Sequence, residues 1–139
     1  MRVVIDSTIL VSIFSDTDKF HKCGLDIFSK IIDKKIEAII PTFAVPETCG
    51  MIGRVFDKHL GAIVEDQLNT WIDNGMLSAK ELTLDRMRYA TEDAIMFGLK
   101  GADAVFVSLA KETDAKLATF DKNLKDKIKR NIKLFETEE

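Results

Sequence analysis

Four acidic residues of this chain could carry out chemistry together: Asp6, Glu47, Asp103 and Asp121. Asp6 directly follows a short run rich in β-branched residues, and Asp121 follows the mainly apolar run Leu117-Ala118-Thr119-Phe120. In open parallel sheets, ligands bind outside the carboxyl ends of the strands, near the point where the strand order reverses. We therefore expect Asp6 and Asp121 to lie at the functional edge of such a sheet.

Glu47 and Asp103 are charged residues among apolar neighbours. These neighbours are Ala44, Val45, Ile52 and Val55 around Glu47, and Ala102, Ala104, Val105 and Val107 around Asp103. A carboxylate without a partner is costly in such surroundings. A cation shared with the other two acids would supply that partner.

The types of these four side chains indicate the chemistry. Carboxylate oxygens without nearby His or Cys favour hard ions, Mg²⁺ or Mn²⁺ rather than Zn²⁺. Such ions orient and activate water and shield the charge of a phosphodiester under attack, so we expect a metal-dependent phosphodiester hydrolase. Any one of these acids has an ordinary alternative role, as a helix cap or as an exposed charge. The four positions together favour function.

The pattern of apolar residues predicts strands that alternate with helices. Strands are predicted at residues 2–5, 36–40, 77–84, 116–119 and 132–135, and helices after Asp6 and at residues 20–32, 42–56, 61–72, 87–99 and 102–111. This alternation implies right-handed crossovers and a mostly parallel sheet covered on both faces. We predict an α/β fold with three layers, α/β/α.

Length and composition limit the class of protein. With 139 residues, 46% hydrophobic and 31% charged, we expect one domain over residues 1–139. No apolar run is long enough to cross a membrane, and the N-terminus lacks a secretory signal, so we expect a cytoplasmic protein. The net charge of -3 means that a polyanion would have to bind a local basic patch or metal ions. A lysine-rich run over residues 122–133 is interpreted mainly as a solvated helix face.

Four short motifs, in this order along the chain, resemble those of PIN domains. They are Val3-Val4-Ile5-Asp6-Ser7-Thr8-Ile9-Leu10, Pro46-Glu47, Gly101-Ala102-Asp103-Ala104 and Ala118-Thr119-Phe120-Asp121. The resemblance extends over nearly the whole chain and is greatest to short prokaryotic nuclease toxins of the VapC type. Each motif alone is weak, whereas their order and spacing are specific.

The resemblance implies a function and a set of partners. In such proteins the four matching acids bind Mg²⁺ or Mn²⁺ and cut single-stranded RNA, so this chain is expected to be an endoribonuclease and the toxin of a toxin-antitoxin pair. A homodimer and a cognate antitoxin are implied as well. The same resemblance places four more residues at the edge of the site: Ser7, Thr8, Thr119 and Asn123. Asn123 stands where some relatives have a further acid, which puts a second metal in question.

Two basic residues after Glu47 are candidates for contact with RNA. Arg54 and Lys58 are about one helical turn apart, so they could flank an RNA backbone, or they could simply be surface charges. An apolar helix at residues 61–72 could form an interface with a second copy or an antitoxin, or could simply pack in the core.

The sequence fits two other classes of α/β protein less well than it fits a PIN domain. A receiver or flavodoxin-like binding module would require paired acids after the first strand, where Asp6 stands alone, and a haloacid dehalogenase would require a second Asp in place of Thr8. A PIN fold used in RNA processing, or as a non-catalytic nucleic-acid-binding or regulatory module, is the remaining alternative.

Overall fold

The computed structural model describes residues 1–137, which contain four strands and seven helices. The strands are β1 (Arg2–Ile5), β2 (Glu37–Pro41), β3 (Leu77–Lys80) and β4 (Lys116–Ala118). The helices are α1 (Ser7–Phe14), α2 (His21–Ile32), α3 (Ala44–Val55), α4 (Lys58–Asp73), α5 (Leu84–Phe97), α6 (Gly101–Glu112) and α7 (Lys122–Ile128). The result is a three-layer α/β/α fold, as predicted from the sequence.

The four strands form one parallel sheet in the order β3-β2-β1-β4. The chain adds β2 and β3 on one side of β1 and then returns to place β4 on the other side. In register, Val3 lies opposite Ala38 of β2 and opposite Lys116 of β4. The strand order therefore reverses between β1 and β4, the two strands that lead to Asp6 and Asp121.

The core is centred on β1. Val3, Val4 and Ile5 are completely buried because β1 lies between two strands and is covered by helices on both faces. This explains why the sequence of β1 is apolar without alternation. The first residue after β1 is consequently held by the most buried part of the molecule.

The predicted helices are confirmed, with differences at their ends, and so are four of the five predicted strands. The strand predicted at residues 77–84 ends at Lys80, because α5 already begins at Leu84. α4 begins at Lys58, three residues before the predicted start, because Asp57 caps it by accepting a hydrogen bond from the backbone of Leu60. α5 begins at Leu84 because Thr83 caps it in the same way, through the backbone of Arg86. Both caps are polar residues that lie outside the apolar periodicity.

The strand predicted at residues 132–135 is reduced to a single parallel bridge between Leu134 and Leu117. The backbone of Leu117 donates to the carbonyl of Lys133 (2.9 Å) and accepts from the amide of Phe135 (2.8 Å). This segment therefore runs beside the outer edge of β4. The lysine-rich run before it contains α7, in agreement with the interpretation as a helix.

Two close helix contacts support the layers. A Cβ atom on Gly24 of α2 would lie 2.0 Å from Ser12 Oγ of α1, and one on Gly61 of α4 would lie 3.3 Å from the Cα of Gly53 in α3. A side chain at Gly24 would collide with α1, whereas one at Gly61 would require α3 to shift slightly. Among the described residues, no helix has the length and apolar character needed to span a membrane.

Candidate functional site

Asp6 occupies the turn between β1 and α1 and caps that helix. Its Oδ1 accepts hydrogen bonds from the backbone amides of Thr8 (3.0 Å) and Ile9 (3.2 Å). The residue is 4% exposed. Burial raises the pKa of Asp6 from 3.8 to about 6, although hydrogen bonds from Thr119, Thr8 and Ile9 limit the rise. A carboxylate so far from water is unusual unless a ligand uses it.

Thr8 joins the ends of the two central strands. Its hydroxyl donates to Asp6 Oδ1 (2.5 Å) and accepts from the backbone amide of Phe120, beyond β4 (2.9 Å). The hydroxyl of Thr119 lies 3.5 Å from that of Thr8 and accepts from the amide of Asp121 (3.0 Å). The backbone that carries Asp121 is thereby fixed relative to Asp6.

Asp121 itself caps α7. Its Oδ1 accepts from the amide of Leu124 (3.1 Å), and the side chain is half-buried. One carboxylate oxygen is therefore used in the cap, which fixes the direction of the group.

Glu47 lies in the first turn of α3 and accepts a short hydrogen bond from Ser7 Oγ. Glu47 is exposed, so the prediction that its apolar neighbours bury it was wrong. The reason is geometric: Ala44 and Ile52 face the core, whereas Glu47 and Val55 lie on other sides of the helix.

Asp103 lies half-buried in the first turn of α6. Its pKa is raised by burial and then by the negative charges of Asp121 and Glu47, whereas the positive charges of Lys100 and Lys127 lower it. Asp121 and Glu47 thus lie close enough to Asp103 for their charges to act on it. Asp6 adjoins them through Ser7 and Thr8, so the structure brings all four predicted acids to one edge of the sheet.

The donor set fits a hard divalent cation. It consists of carboxylate and hydroxyl oxygens, while His21 contacts the carbonyl of Ser12 (2.7 Å) and His59 is exposed on α4. Within residues 1–137, however, no three acidic, histidine or cysteine side chains lie close enough to form a ready-made metal site.

Comparison with known proteins identifies the family. A sequence model of the PIN domain matches residues 3–129. The chain belongs to the PIN domain family. No curated protein sequence matches the chain significantly.

Solved structures share the fold of this PIN domain at low sequence identity. VapC20 from Mycobacterium tuberculosis, a toxin that cleaves the sarcin-ricin loop, has a TM-score of 0.74 at 12% identity over 94% of this chain and 95% of its own. VapBC2 from Rickettsia felis, bound to a DNA fragment from its promoter, has a TM-score of 0.68 at 15% identity over 97% and 98%. A toxin-antitoxin complex from Klebsiella pneumoniae has a TM-score of 0.65 at 13% identity over 91% and 92%.

The predicted edge residues of the PIN domain have different surroundings. Ser7, Thr8 and Thr119 contact the acids or their backbone, as described above. Asn123 is exposed in the first turn of α7.

The prediction that Arg54 and Lys58 lie one turn apart on a helix was wrong. Arg54 is in the last turn of α3, whereas Lys58 is the first residue of α4, and Asp57 caps the second helix between them. Both side chains are exposed. Their role in RNA contact stays a prediction.

Two lysines near the acids did not emerge from sequence reasoning. Lys100 precedes α6 and Lys127 lies near the end of α7, yet both charges act on Asp103. Lys100 stands three residues before Asp103, a spacing that could have indicated it. No local pattern indicates Lys127, because its proximity depends on how α7 folds back.

One further acid inside the PIN domain has a structural partner. Asp93 of α5 is 4% exposed and accepts from Lys111 Nζ of α6 (2.7 Å). Lys111 is in the last turn of α6, whereas Asp103 is in the first turn of the same helix.

Proposed function

We propose that residues 1–139 form a single PIN nuclease domain that hydrolyses phosphodiester bonds of single-stranded RNA with Mg²⁺ or Mn²⁺. The observation that carries this proposal is the position of Asp6 and Asp121, which follow the neighbouring parallel strands β1 and β4, with Asp6 only 4% exposed. Buried or mutually repelling carboxylates cost free energy, and a protein retains them where a ligand offsets that cost.

Each side chain has a distinct part in this proposal. Asp6, Asp103, Asp121 and Glu47 would hold the metal through carboxylate oxygens. A divalent cation bound there would lower the pKa of a water molecule and shield the phosphodiester during attack. Thr8 holds Asp6 in place, and Ser7 does the same for Glu47. Such hydrogen bonds to metal ligands orient them and tune their basicity.

The test is cleavage of a labelled single-stranded RNA by the purified protein and by Asp6→Asn and Asp103→Asn. We expect both substitutions to abolish cleavage that depends on Mg²⁺ or Mn²⁺, because each replaces a charged metal ligand with a neutral side chain of similar shape. Asp66→Asn, at an exposed position on α4, makes the same chemical change away from the site and should leave cleavage intact. Undiminished cleavage by both site variants would refute the proposal.

The same proposal includes a role as the toxin of a toxin-antitoxin pair. It is supported by the full-length structural similarity to VapC20, a toxin, and to VapBC2. We expect a small reading frame for a DNA-binding antitoxin beside this gene, and we expect its product to inhibit cleavage when the two are mixed. Active protein whose cleavage is unaffected by any neighbouring gene product would favour a role in RNA processing.

We further propose that the protein is a homodimer that pairs through α5. Leu84, Met87 and Ile95 project from this helix, with Ile95 80% exposed. Beside them is a groove of about 680 Å³ lined by apolar residues including Leu99 and Ala102. A surface that carries both apolar projections and an apolar groove can be complementary to itself about a two-fold axis. Exposed apolar patches of this kind commonly mark interfaces.

Sedimentation equilibrium tests the dimer. Ile95→Glu should convert a dimer to a monomer, because it would bury a charge in the interface. Ile63→Glu, at an exposed apolar position on α4, is the matched control and should remain dimeric. A monomeric parent protein, or an unchanged Ile95→Glu dimer, would contradict this interface.

A further inference from the structure

Two lysines lie on the side of the acidic site formed by α6 and α7. Lys100 is the residue directly before α6, and Asp103 follows in the first turn of that helix. Lys127 approaches the same region from the last turn of α7. The charges of both lysines act on Asp103, so both are within electrostatic reach of the carboxylates.

The side chain of Lys127 is anchored in this position. Its Nζ donates a hydrogen bond to the carbonyl of Gly98 (3.1 Å), the residue that ends α5 in a left-handed conformation. An ammonium group has three N–H donors, so two remain for a ligand. Because the side chain is already held, less conformational entropy is lost when a ligand binds.

Two other lysines of this segment have partners elsewhere. Lys129 lies 3.6 Å from Asp126, and Lys125 Nζ lies 3.2 Å from Thr137 Oγ1 in the C-terminal segment. Lys127 instead contacts the turn between α5 and α6. That turn also carries Lys100.

The overall negative charge of the chain makes positive side chains beside the site important for RNA binding. The chain has a net charge of -3, and four of its acidic residues belong to the site, so an RNA strand is repelled there unless cations lie close to it. Lysine binds phosphate as a point charge, largely without regard to base sequence.

We propose that Lys100 and Lys127 form a phosphate-binding pair that holds the RNA backbone on the α6–α7 side of Asp103. This inference rests on the proposed ribonuclease function and adds a binding role that the four acids do not have. It also predicts a direction: the strand leaves the site over the turn between α5 and α6, away from the junction of α3 and α4, where Arg54 and Lys58 lie.

The test measures binding and does not require cleavage. The affinity of a fluorescein-labelled single-stranded oligouridylate is measured by fluorescence anisotropy, in EDTA and again in Ca²⁺, over a range of salt concentrations. Lys100→Gln/Lys127→Gln should raise the Kd on the order of fivefold to tenfold at low salt. It should also reduce the slope of log Kd against log salt by about 1.4, from about 0.7 for each phosphate contact of a single strand.

The control is Lys35→Gln/Lys129→Gln, which makes the same change of net charge. Lys35 precedes β2 and therefore lies at the opposite edge of the sheet, and Lys129 faces Asp126. This control should bind RNA as the parent protein does. Lys127→Arg in place of Lys127→Gln should restore most of the affinity, since the positive charge is kept.

Three outcomes overturn the lysine pair: equal affinity of the site and control variants, an unchanged salt slope, or no RNA binding by the parent protein in either buffer. Thermal unfolding of each variant identifies a loss of affinity that comes from misfolding, which Lys127→Arg would not rescue. If Asp6→Asn loses cleavage while the lysine variants bind normally, only the lysine proposal fails. If Asp6→Asn cleaves normally while the lysine variants lose affinity, the proposed catalytic site fails instead.

Discussion

The burial of the charged Asp6 lowers the free energy of unfolding of the protein. Because the pKa of Asp6 is raised from 3.8 to about 6, the native state binds more protons than the unfolded state between these values. The free energy of unfolding therefore falls as pH rises through this window and stays reduced above it. Below about pH 4 the carboxyl is protonated in both states, and the penalty is absent.

Asp6→Asn should consequently stabilise the metal-free protein at neutral pH. An asparagine can still cap α1 but carries no charge, so we expect a gain of up to roughly 3 kcal/mol near pH 8. The gain should disappear near pH 4. Urea unfolding in EDTA at the two pH values measures it, and a variant less stable than the parent near pH 8 would contradict the argument.

Thr8 should matter through its hydroxyl group. Thr8→Val keeps the shape but removes both the hydrogen bond to Asp6 and the acceptor for Phe120. We expect cleavage or metal affinity to fall by about 10-fold to 100-fold, the usual effect of removing a partner of a metal ligand.

Two comparisons make the Thr8 experiment specific. Thr8→Ser retains the hydroxyl and should restore most of the activity, which a purely structural role of the methyl group would not allow. Thr17→Val, at an exposed position after α1, should have no effect. Full activity in Thr8→Val, measured by RNA cleavage, would show that Asp6 needs no anchor.

At the level of the helices and strands, the contact between α1 and α2 depends on Gly24. A methyl group there would lie 2.0 Å from Ser12 Oγ and 3.1 Å from the backbone carbon of Ser12. Gly24→Ala should therefore destabilise the protein by about 1–3 kcal/mol, as overpacked cores do. Denaturant unfolding measures this change.

A double variant tests whether the clash is the cause. Ser12→Ala removes the oxygen that the new methyl group would meet, so Gly24→Ala/Ser12→Ala should recover part of the lost stability. If the changes in the free energy of unfolding simply add in the double variant, the two residues are not in contact and the helices do not meet as described. Gly53→Ala is a control, because a Cβ atom there has open space.

Most of these elements were predictable because their apolar residues recur with clear periods. The strand β1 and the helix after Asp6 were found together, since the run of β-branched residues ends at a capping residue. The predicted starts of α4 and α5 were three residues too late. Asp57 and Thr83 cap these helices, but they are polar and so are invisible to a prediction from apolar periodicity. The strand predicted near Leu134 became one bridge because it pairs only with the short β4.

For the whole molecule, metal binding should appear as added stability. A ligand that binds only the native state stabilises it, by about 2.7 kcal/mol at a concentration one hundred times its Kd. Mg²⁺ or Mn²⁺ should therefore raise the Tm of the parent protein, with little effect on Asp103→Asn. Differential scanning calorimetry checks this. The control Asp66→Asn should show the same rise in Tm as the parent protein, so that the lost rise is specific to Asp103.

The arrangement of the site was only partly predictable, because it depends on the whole fold. Strand-end geometry correctly placed Asp6 and Asp121 on neighbouring strands. The exposure of Glu47 and the break between Arg54 and Lys58 depend on where helices begin and which face they bury. The approach of Lys127 to Gly98 depends on three elements at once, α5, α6 and α7, and no window of sequence contains them all.

The pairing of β1 with β4 also sets the time at which the site can exist. Thr8 and Phe120 are joined by a hydrogen bond across 112 positions of the chain, and contacts between such distant segments form late and slowly in folding. The segment that carries Asp6 can therefore form its local turn and helix early, but it acquires Asp121 as a neighbour only when β4 joins the sheet. The proposed nuclease site is thus a late product of folding, and a partly folded chain would lack it.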